Sequence, residues 1–357
     1  MAEQDYDKSK AEEFASKMFQ FLNGGMLSLM ISIGYKTNLF DIISQLEPST
    51  SQEIAQAAKL DERYVREWLG AMVTGNIIKY DTSTEKYYLP KEHSAFLTRK
   101  SGIDNLAVFT QYVSLMGNVE DKIVECFRNG GGLPYSEYPK FQQLQAEETA
   151  RIFDSKLTNQ ILQLNPEINN RLNDGIEVLD IGCGRGHAVN LMGKAFSRSK
   201  FTGCDISQEG ITTAKEEAKN MGLTNVRFEI KDALLVEELG KYDLITAFDT
   251  IHDQAQPTRV LKAINGSLKS DGFFLMQDIA ASSMVDKNID SPLAPALYTI
   301  STMHCMSVSL AYNGEGLGTM WGKELAVKKL TEAGFKDIKV KNVEGDIINY
   351  YYLSRKS

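Results

Sequence analysis

The sequence predicts an α/β protein in two parts: a seven-stranded, Rossmann-like sheet domain preceded by a mainly helical winged-helix domain. Three observations carry this. From Glu177 onward, apolar strand-like runs alternate with helical periodicity, as in a doubly wound parallel sheet. The first run, Glu177-Val-Leu-Asp-Ile181, ends in a loop with glycine at every second position (Gly182, Gly184, Gly186), and a helical pattern starts at His187. Strand, glycine loop and helix open a nucleotide-binding βαβ fold, since glycine lets the backbone turn tightly and approach a ligand where a Cβ would clash. Third, the segment from Thr50 to Leu89 reads helix, turn, helix, hairpin, the order of a winged helix.

Composition bounds the rest. A chain of 357 residues has room for two domains, and 43% hydrophobic with 24% charged residues is ordinary for a soluble globular protein. The net charge of −8 argues against nucleic acid or an anionic membrane as the main partner. Four cysteines, Cys126, Cys183, Cys204 and Cys305, lie scattered without a C-x-x-C pair, as expected of reduced thiols in a cytoplasmic protein. The polar, acidic start does not read as a signal peptide, and no apolar run is long enough to span a membrane. The expected division is 1–100 as a winged-helix dimerisation domain, 101–165 as a helical linker and pocket lid, and 166–357 as the sheet domain.

Taken in order, residues 8–22 are amphipathic, with Phe14, Met18, Phe21 and Leu22 at helical spacing. Met26 to Ile33 reads as a second helix, apolar all round and ended near Gly34; such a helix must be buried on every side, which predicts a homodimer through the N-terminal helices. Thr50-Ser-Gln-Glu53 is a capping box. The second winged-helix helix carries Asp61, Glu62 and Glu67 against Arg63 and Arg66, too acidic for a DNA reader. Runs Ile77–Tyr80 and Lys86–Leu89 form the hairpin. Residues 102–128 read as helix, Leu133 to Pro139 as a rigid aromatic loop, and Phe141 to about Leu164 as a long helix. Strands are expected near 177–182, 200–206, 226–232, 242–249 and 272–279, with helices near 187–197, 207–221 and 257–269. A helix from Trp321 to Ala333 and two late strands, Ile338–Val343 and Ile347–Leu353, complete a seven-stranded sheet with one antiparallel strand.

Open α/β sheets bind ligands at the carboxyl ends of their strands. The first strand offers Asp180, Gly182 and Gly184 there, and the second offers Asp205 followed by Ile206. The third offers Asp232 and Ala233, and the fourth Phe248, Asp249, His252 and Asp253. A G-x-G-x-G loop behind a carboxylate departs from the dinucleotide G-x-G-x-x-G. The Asp180 charge would repel a pyrophosphate but suits a cationic ligand such as S-adenosylmethionine. Asp205 can accept both ribose hydroxyls. Asp232 can accept from an adenine amine, with Ala233 against the ring. NAD binding would explain Asp205 but not Asp180.

These residues resemble the class I S-adenosylmethionine-dependent methyltransferases. Val178-Leu-Asp-Ile-Gly-Cys-Gly-Arg-Gly186 is similar to their first motif, and Asp205 and Asp232-Ala233 match the later strand ends. Ile251-His-Asp-Gln-Ala-Gln-Pro257 and Leu268-Lys-Ser-Asp-Gly272 resemble the small-molecule O-methyltransferases with a winged-helix dimerisation domain, in which the histidine at the position of His252 is the general base. Nearly the whole chain looks like one subfamily of these, through Pro134–Pro139, Leu297–Leu310, Gly316–Gly322 and Asn349–Tyr352. That subfamily and its relatives include enzymes acting on small thiols or thioethers. The resemblance implies S-adenosyl-L-methionine as cofactor, S-adenosyl-L-homocysteine as product, and a small thiol, thioether or hydroxyl as acceptor. His252 is the expected base, oriented by Asp249 or Asp253, with His304 on an apolar helix as a further catalytic candidate. Tyr135, Tyr138, Tyr298, Trp321, Asn349 and Tyr351 are expected in the substrate pocket, where aromatic faces can stabilise a sulfonium. No metal site is expected, because the four histidines lie far apart in sequence. A ligand-sensing regulator and a NAD-dependent enzyme are the alternative readings.

Overall fold

In the computed structural model, which describes residues 6–236 and 238–356, a single helix α1 (Lys8–Lys36) runs through the stretch expected to hold two. Asp7 caps it by accepting from the backbone N–H groups of Ser9 and Lys10. Gly24 and Gly25 do not break it; a Cβ at either would meet nothing within 4 Å. The helix ends at Thr37, before Asn38 turns left-handed at φ 61°. Gly34, expected to end the helix, lies inside it, and a Cβ there would stand 2.5 Å from the Trp68 ring, so close packing accounts for the glycine. The expectation of burial on every side does not hold within one chain: Phe14, Met18, Phe19, Phe21, Leu22, Met26 and Ile33 are exposed. Only the C-terminal part packs, with Leu27, Met30 and Ile31 against the local core.

The chain divides into two compact units, Met1–Ser114 and Leu115–Ser357. In the first, α2 (Leu39–Ile43), α3 (Ser51–Ala58), α4 (Glu62–Thr74), the hairpin of β1 (Lys79–Asp81) and β2 (Lys86–Tyr88), and α5 (Lys91–Leu97) follow α1. The capping box forms as the sequence predicts, with Thr50 and Glu53 each satisfying the other's backbone N–H. Phe40 and Trp68 pack edge to face at 5.3 Å in a core with Ile54, Leu69, Met72 and Ile78. The helix expected over 102–128 is broken into 3₁₀ turns, α6 (Gln111–Gly117) and α7 (Glu120–Asn129). Gly102 takes a positive φ of 56° and Gly117 closes α6, so the apolar periodicity spans several pieces.

The second unit holds the sheet. Helix α8 (Phe141–Lys156) continues through a π turn, Leu157–Ile161, and a 3₁₀ turn into α9 (Pro166–Asp174). Then come β3 (Glu177–Ile181), α10 (His187–Ala195), β4 (Lys200–Asp205), α11 (Gln208–Asn220), β5 (Val226–Ile230), β6 (Tyr242–Phe248), α12 (Pro257–Ser267) and β7 (Leu268–Ile279). After α13 (Ala294–Ile300), a π turn Ser301–Cys305, α14 (Met306–Ala311) and α15 (Gly322–Glu332), the chain ends in β8 (Phe335–Lys341) and β9 (Asn349–Lys356). The seven strands lie in the order β5-β4-β3-β6-β7-β9-β8, with β9 antiparallel to both its neighbours. Strands β3 to β5 wind outward one way and β6 returns to the other side of β3. The topological switch point therefore falls beside β3, where loops diverge and leave a crevice. Ile181, Ile245, Ala247, Phe274, Met276 and Tyr352 are buried on the sheet, with Val260, Leu261, Ile264 and Leu330 packed over them.

Candidate functional site

At that crevice the second unit has a cavity of about 780 Å³, the size of a site for a small molecule with a cofactor. The glycine loop forms one wall, with Gly182, Gly184 and Gly186 all at positive φ. A Cβ on Gly182 would stand 2.3 Å from Thr250, and one on Gly186 2.4 Å from Ala214, so both positions demand glycine on space as well as on φ.

The strand-end acids meet on this cavity. Asp180, Asp205, Asp232, Asp249 and Asp253 all line it, as do Ile206, Ala233 and Phe248. Asp180 is buried and accepts the Thr246 hydroxyl at 2.6 Å across the β3–β6 pairing. Burial pushes its carboxyl up to about 7, against the pull of Thr246. Asp205 accepts the Gly184 N–H and the Ser207 N–H at 2.8 Å each, tying the end of β4 to the glycine loop. Each of its oxygens keeps a lone pair for a hydroxyl. Burial raises its carboxyl too, with the two backbone donors opposing. Asp232 caps a 3₁₀ turn through Leu234 N–H and is exposed at the rim, with buried Ala233 beside it. Phe248 lies against Phe153 of α8, ring centroids 5.0 Å apart.

This wall fits a cationic adenosyl cofactor. A left-handed Gly184 faces the cavity with nothing within 4 Å of where a Cβ would be. A buried acid sits before the loop for the positive end, and a doubly held carboxylate follows at the next strand for the ribose.

A chain of polar side chains runs inward from the cavity. Tyr135 and Asp253 line it, and the Tyr135 hydroxyl donates to Asp253 Oδ2 at 3.0 Å. Asp253 Oδ1 stands 3.2 Å from His252 Nε2 without hydrogen-bond alignment. His252 Nδ1 bonds Asp278 Oδ1 at 2.8 Å, and that oxygen also accepts from Trp321 Nε1 and from the Ile279 N–H. Burial alone pulls the imidazole pKa down, but the carboxylates of Asp278 and Asp253 outweigh it and hold it well above its usual value. Asp278 was not singled out by sequence, though reading the end of β7 as the other strand ends were read would have found it.

Other expected residues stand elsewhere. Asp249 does not orient His252; its Oδ2 accepts from Gln277 Nε2 at 2.8 Å. His252 is itself buried behind Asp253 and does not line the cavity. His304 does not line it either, being enclosed by Phe141, stacked at 3.5 Å, and by Tyr138 and Tyr135 edge-on. Burial lowers its pKa to about 4, leaving a neutral ring. Tyr138 lines the cavity with its hydroxyl on the Met303 carbonyl at 2.5 Å. Tyr298 lines a separate shallow groove beside α7, its hydroxyl near Asn288. Trp321 backs Asp278 within the core. Asn349 and Tyr351 are buried and tied to Asp346, the Tyr351 hydroxyl donating at 2.6 Å. None of these four lines the cavity. Distance in sequence did not foresee that ligand-capable atoms of His252, Asp253 and Cys305 come within 4.8 Å of one another. Both His252 nitrogens already face carboxylates there.

Comparison with known proteins agrees with this layout. Residues 25–99 match a family described as an Rv2258c-like winged HTH domain, and residues 172–334 match a family described as a methyltransferase domain. The chain is 31% identical over 115 residues to (S)-coclaurine N-methyltransferase of Papaver somniferum, covering 32% of each. It is 27% identical over 108 residues to ubiquinone biosynthesis O-methyltransferase of Leptothrix cholodnii, 30% of this chain and 45% of that one. The chain thus matches a third to a half of the length of these curated relatives. In fold it is similar to human N-acetylserotonin methyltransferase solved with S-adenosylmethionine, at TM-score 0.69 and 19% identity over 100% of both chains. No helix among the described residues is long and apolar enough to cross a membrane.

Proposed function

We propose that this chain, which belongs to the class I S-adenosylmethionine-dependent methyltransferases with an N-terminal winged-helix domain, methylates an S- or O-nucleophile of a small-molecule acceptor. The observation that carries the reading is the line Asp278–His252–Asp253–Tyr135, which ends on the same cavity that the glycine loop lines. Methyl transfer needs the acceptor atom in line with the donated carbon, water kept out, and a place for any proton the acceptor loses. The cofactor supplies an electrophilic methyl on a sulfonium. The chain supplies Asp180, Gly182, Gly184, Asp205, Ile206, Asp232, Ala233 and Phe248 to hold it, and Tyr135 and Tyr138 to wall the acceptor.

His252 in its unprotonated form is the general base, acting as one unit with its two carboxylates, which raise its proton affinity. Asp278 fixes the ring through Nδ1, so Nε2 faces Asp253, which lines the cavity. A proton leaving the acceptor enters at the Asp253 edge and is shared with the imidazole. His304 keeps a neutral ring behind Tyr135 and Tyr138, positioning them. Residues 1–100 serve as a dimerisation domain, 101–165 as linker and lid, and 166–357 as the catalytic domain of a cytoplasmic homodimer. The exposed apolar face of α1, with Phe14, Met18 and Phe21, supports the dimer.

Calorimetry with S-adenosylhomocysteine tests the cofactor site: wild type should bind, and Asp205→Ala should not. Screening thiols, thioethers and phenols for S-adenosylhomocysteine release tests the acceptor class. If His252→Ala kept full turnover on a thiol or phenol, the base assignment would be wrong. Phe14→Asp with Phe21→Asp should yield monomers by light scattering.

A further inference from the structure

Asp249, just past the end of β6, adopts a left-handed φ of 51°, a conformation uncommon for residues other than glycine, asparagine and aspartate. The twist turns its side chain to line the cavity. One oxygen, Oδ2, accepts from Gln277 Nε2. The other, Oδ1, is shielded from solvent and has no hydrogen-bond donor. Gln277, only 1% exposed, holds Asp249 with its amide N–H while its own Oε1 also lacks a donor. Two buried acceptor oxygens on one hydrogen-bonded pair are thus unsatisfied, an arrangement that costs free energy unless a ligand brings donors. Three further carboxylates, Asp278, Glu148 and Asp346, act on Asp249 against one imidazole, His252.

We propose that Asp249, braced by Gln277, is a recognition site for a cationic nitrogen, the ammonium of an amine-bearing methyl acceptor. The inference rests on the methyltransferase reading and narrows its substrate to a small thiol or hydroxyl compound that also carries an amine. The position favours the acceptor over the cofactor. Asp180, paired in register with Thr246, already supplies a buried acid beside the glycine loop. Asp249 lies three residues beyond Thr246, in the segment that carries His252 and Asp253 on the proton-accepting side. Burial and Asp278 push the Asp249 carboxyl well up, and an arriving ammonium offsets both by giving its charge a partner. No bond changes at this site; it positions the acceptor.

Binding of matched probes to protein saturated with S-adenosylhomocysteine tests this. Tyramine against 4-ethylphenol, and cysteamine against propanethiol, differ mainly in the ammonium. At least one amine should bind about tenfold or more tighter than its neutral partner, the scale of one charge-assisted hydrogen bond. Asp249→Asn, which suits the left-handed φ and removes only the charge, should erase that preference while leaving S-adenosylhomocysteine affinity unchanged. Equal binding within both pairs, or no binding of either amine, overturns the proposal, as does a preference that survives Asp249→Asn. If the variant weakens S-adenosylmethionine but not S-adenosylhomocysteine, the charge serves the sulfonium; if it weakens both, it serves the cofactor's ammonium. Either result overturns the acceptor assignment. Failure of wild type to bind S-adenosylhomocysteine at the outset would instead refute the methyltransferase reading.

Discussion

Asp180→Asn should stabilise the cofactor-free protein and weaken its hold on the cofactor, both in a pH-dependent way. The amide oxygen can still accept from Thr246, so the change removes a charge and little else. Burial moves the carboxyl from 3.8 to about 7. A shift of roughly three units at about 1.4 kcal/mol each means that ionising Asp180 costs the cofactor-free fold about 4 kcal/mol. The folded-state pKa lies above the unfolded one, so the folded protein keeps the proton longer. The destabilisation is therefore absent below pH 4, grows as pH rises from about 4 to 7, and is complete above 7. The variant escapes it. Its advantage over wild type should widen by about 2–3 kcal/mol between pH 5 and pH 8, or roughly 5–10 °C in melting temperature for a unit of this size.

The same charge should appear in binding with the opposite consequence. S-adenosylmethionine affinity of the wild type should climb as pH rises towards 7 and level off above it. Asp180→Asn should show a flat profile and bind about 10–100-fold more weakly at pH 8, a loss of about 1.4–2.7 kcal/mol. Differential scanning fluorimetry and calorimetry at pH 5 and pH 8 read both effects. Parallel melting curves across that range, or equal pH profiles for binding, would refute a buried carboxyl titrating near neutrality in the cofactor wall.

Three other substitutions probe separate links. Asp278→Asn removes the carboxylate that orients the His252 ring and strengthens it as a base, so turnover should fall about 10²–10³-fold with S-adenosylhomocysteine affinity intact; loss of that affinity instead would make Asp278 a cofactor-site residue. Gly24→Ala, mid-helix with nothing within 4 Å of its Cβ, should stabilise α1 by about 0.5–1 kcal/mol in chemical denaturation. His187 bridges Glu217 and Asp154 at 2.7 Å each, which raise its pKa to about 9 against burial. Its stabilisation, up to about 3 kcal/mol, is fully present below pH 6.5 and lost as pH rises through 9. His187→Gln should therefore lower the melting temperature at pH 6 and match wild type at pH 10.

The sheet domain was legible because its signals are local. Short apolar runs, glycine spacing and acids at strand ends fix each βα unit by themselves, and the parallel strands fall close to where those signals put them, though β7 starts at Leu268, before the expected 272, and the two late strands shift, to Phe335–Lys341 from the expected Ile338–Val343 and to Asn349–Lys356 from Ile347–Leu353. The N-terminal helices were less so. Residues 8–22 and Met26–Ile33 read as two helices, yet one long helix runs through Gly24 and Gly25 between them, because neighbouring turns propagate it. The second-substrate residues were hardest. Trp321, Asn349 and Tyr351 share motifs with the site but turn their polar atoms to framework carboxylates, Trp321 to Asp278, 43 positions away, and Asn349 and Tyr351 to Asp346, three and five positions back. Asp278 stands at the end of β7, within reach of a strand-end reading, but its role shows only once the fold sets it beside His252, 26 positions away.

Five acids on one sheet edge would repel each other unless each were held, and how each is held divides the cavity into two halves. On the β3–β5 side the protein supplies the donors. Thr246 serves Asp180, Gly184 and Ser207 serve Asp205, and Leu234 serves Asp232. On the β6–β7 side the supply of donors is incomplete, and Asp249 Oδ1, Asp253 Oδ1 and Asp278 Oδ2 are buried acceptors without one. A wall complete in itself suits a cofactor that every turnover shares, since it need only offer remaining lone pairs. A wall short of donors discriminates, because an acceptor that lacks N–H or O–H groups leaves buried carboxylates unsatisfied, at about 1–3 kcal/mol for each neutral contact and more for a charge. Specificity in this protein should therefore reside in Asp249 and Asp253, which line the cavity, more than in the aromatic walls. A neutral hydrocarbon analogue of the true acceptor should be rejected far more strongly than one that is merely larger or smaller by a methylene.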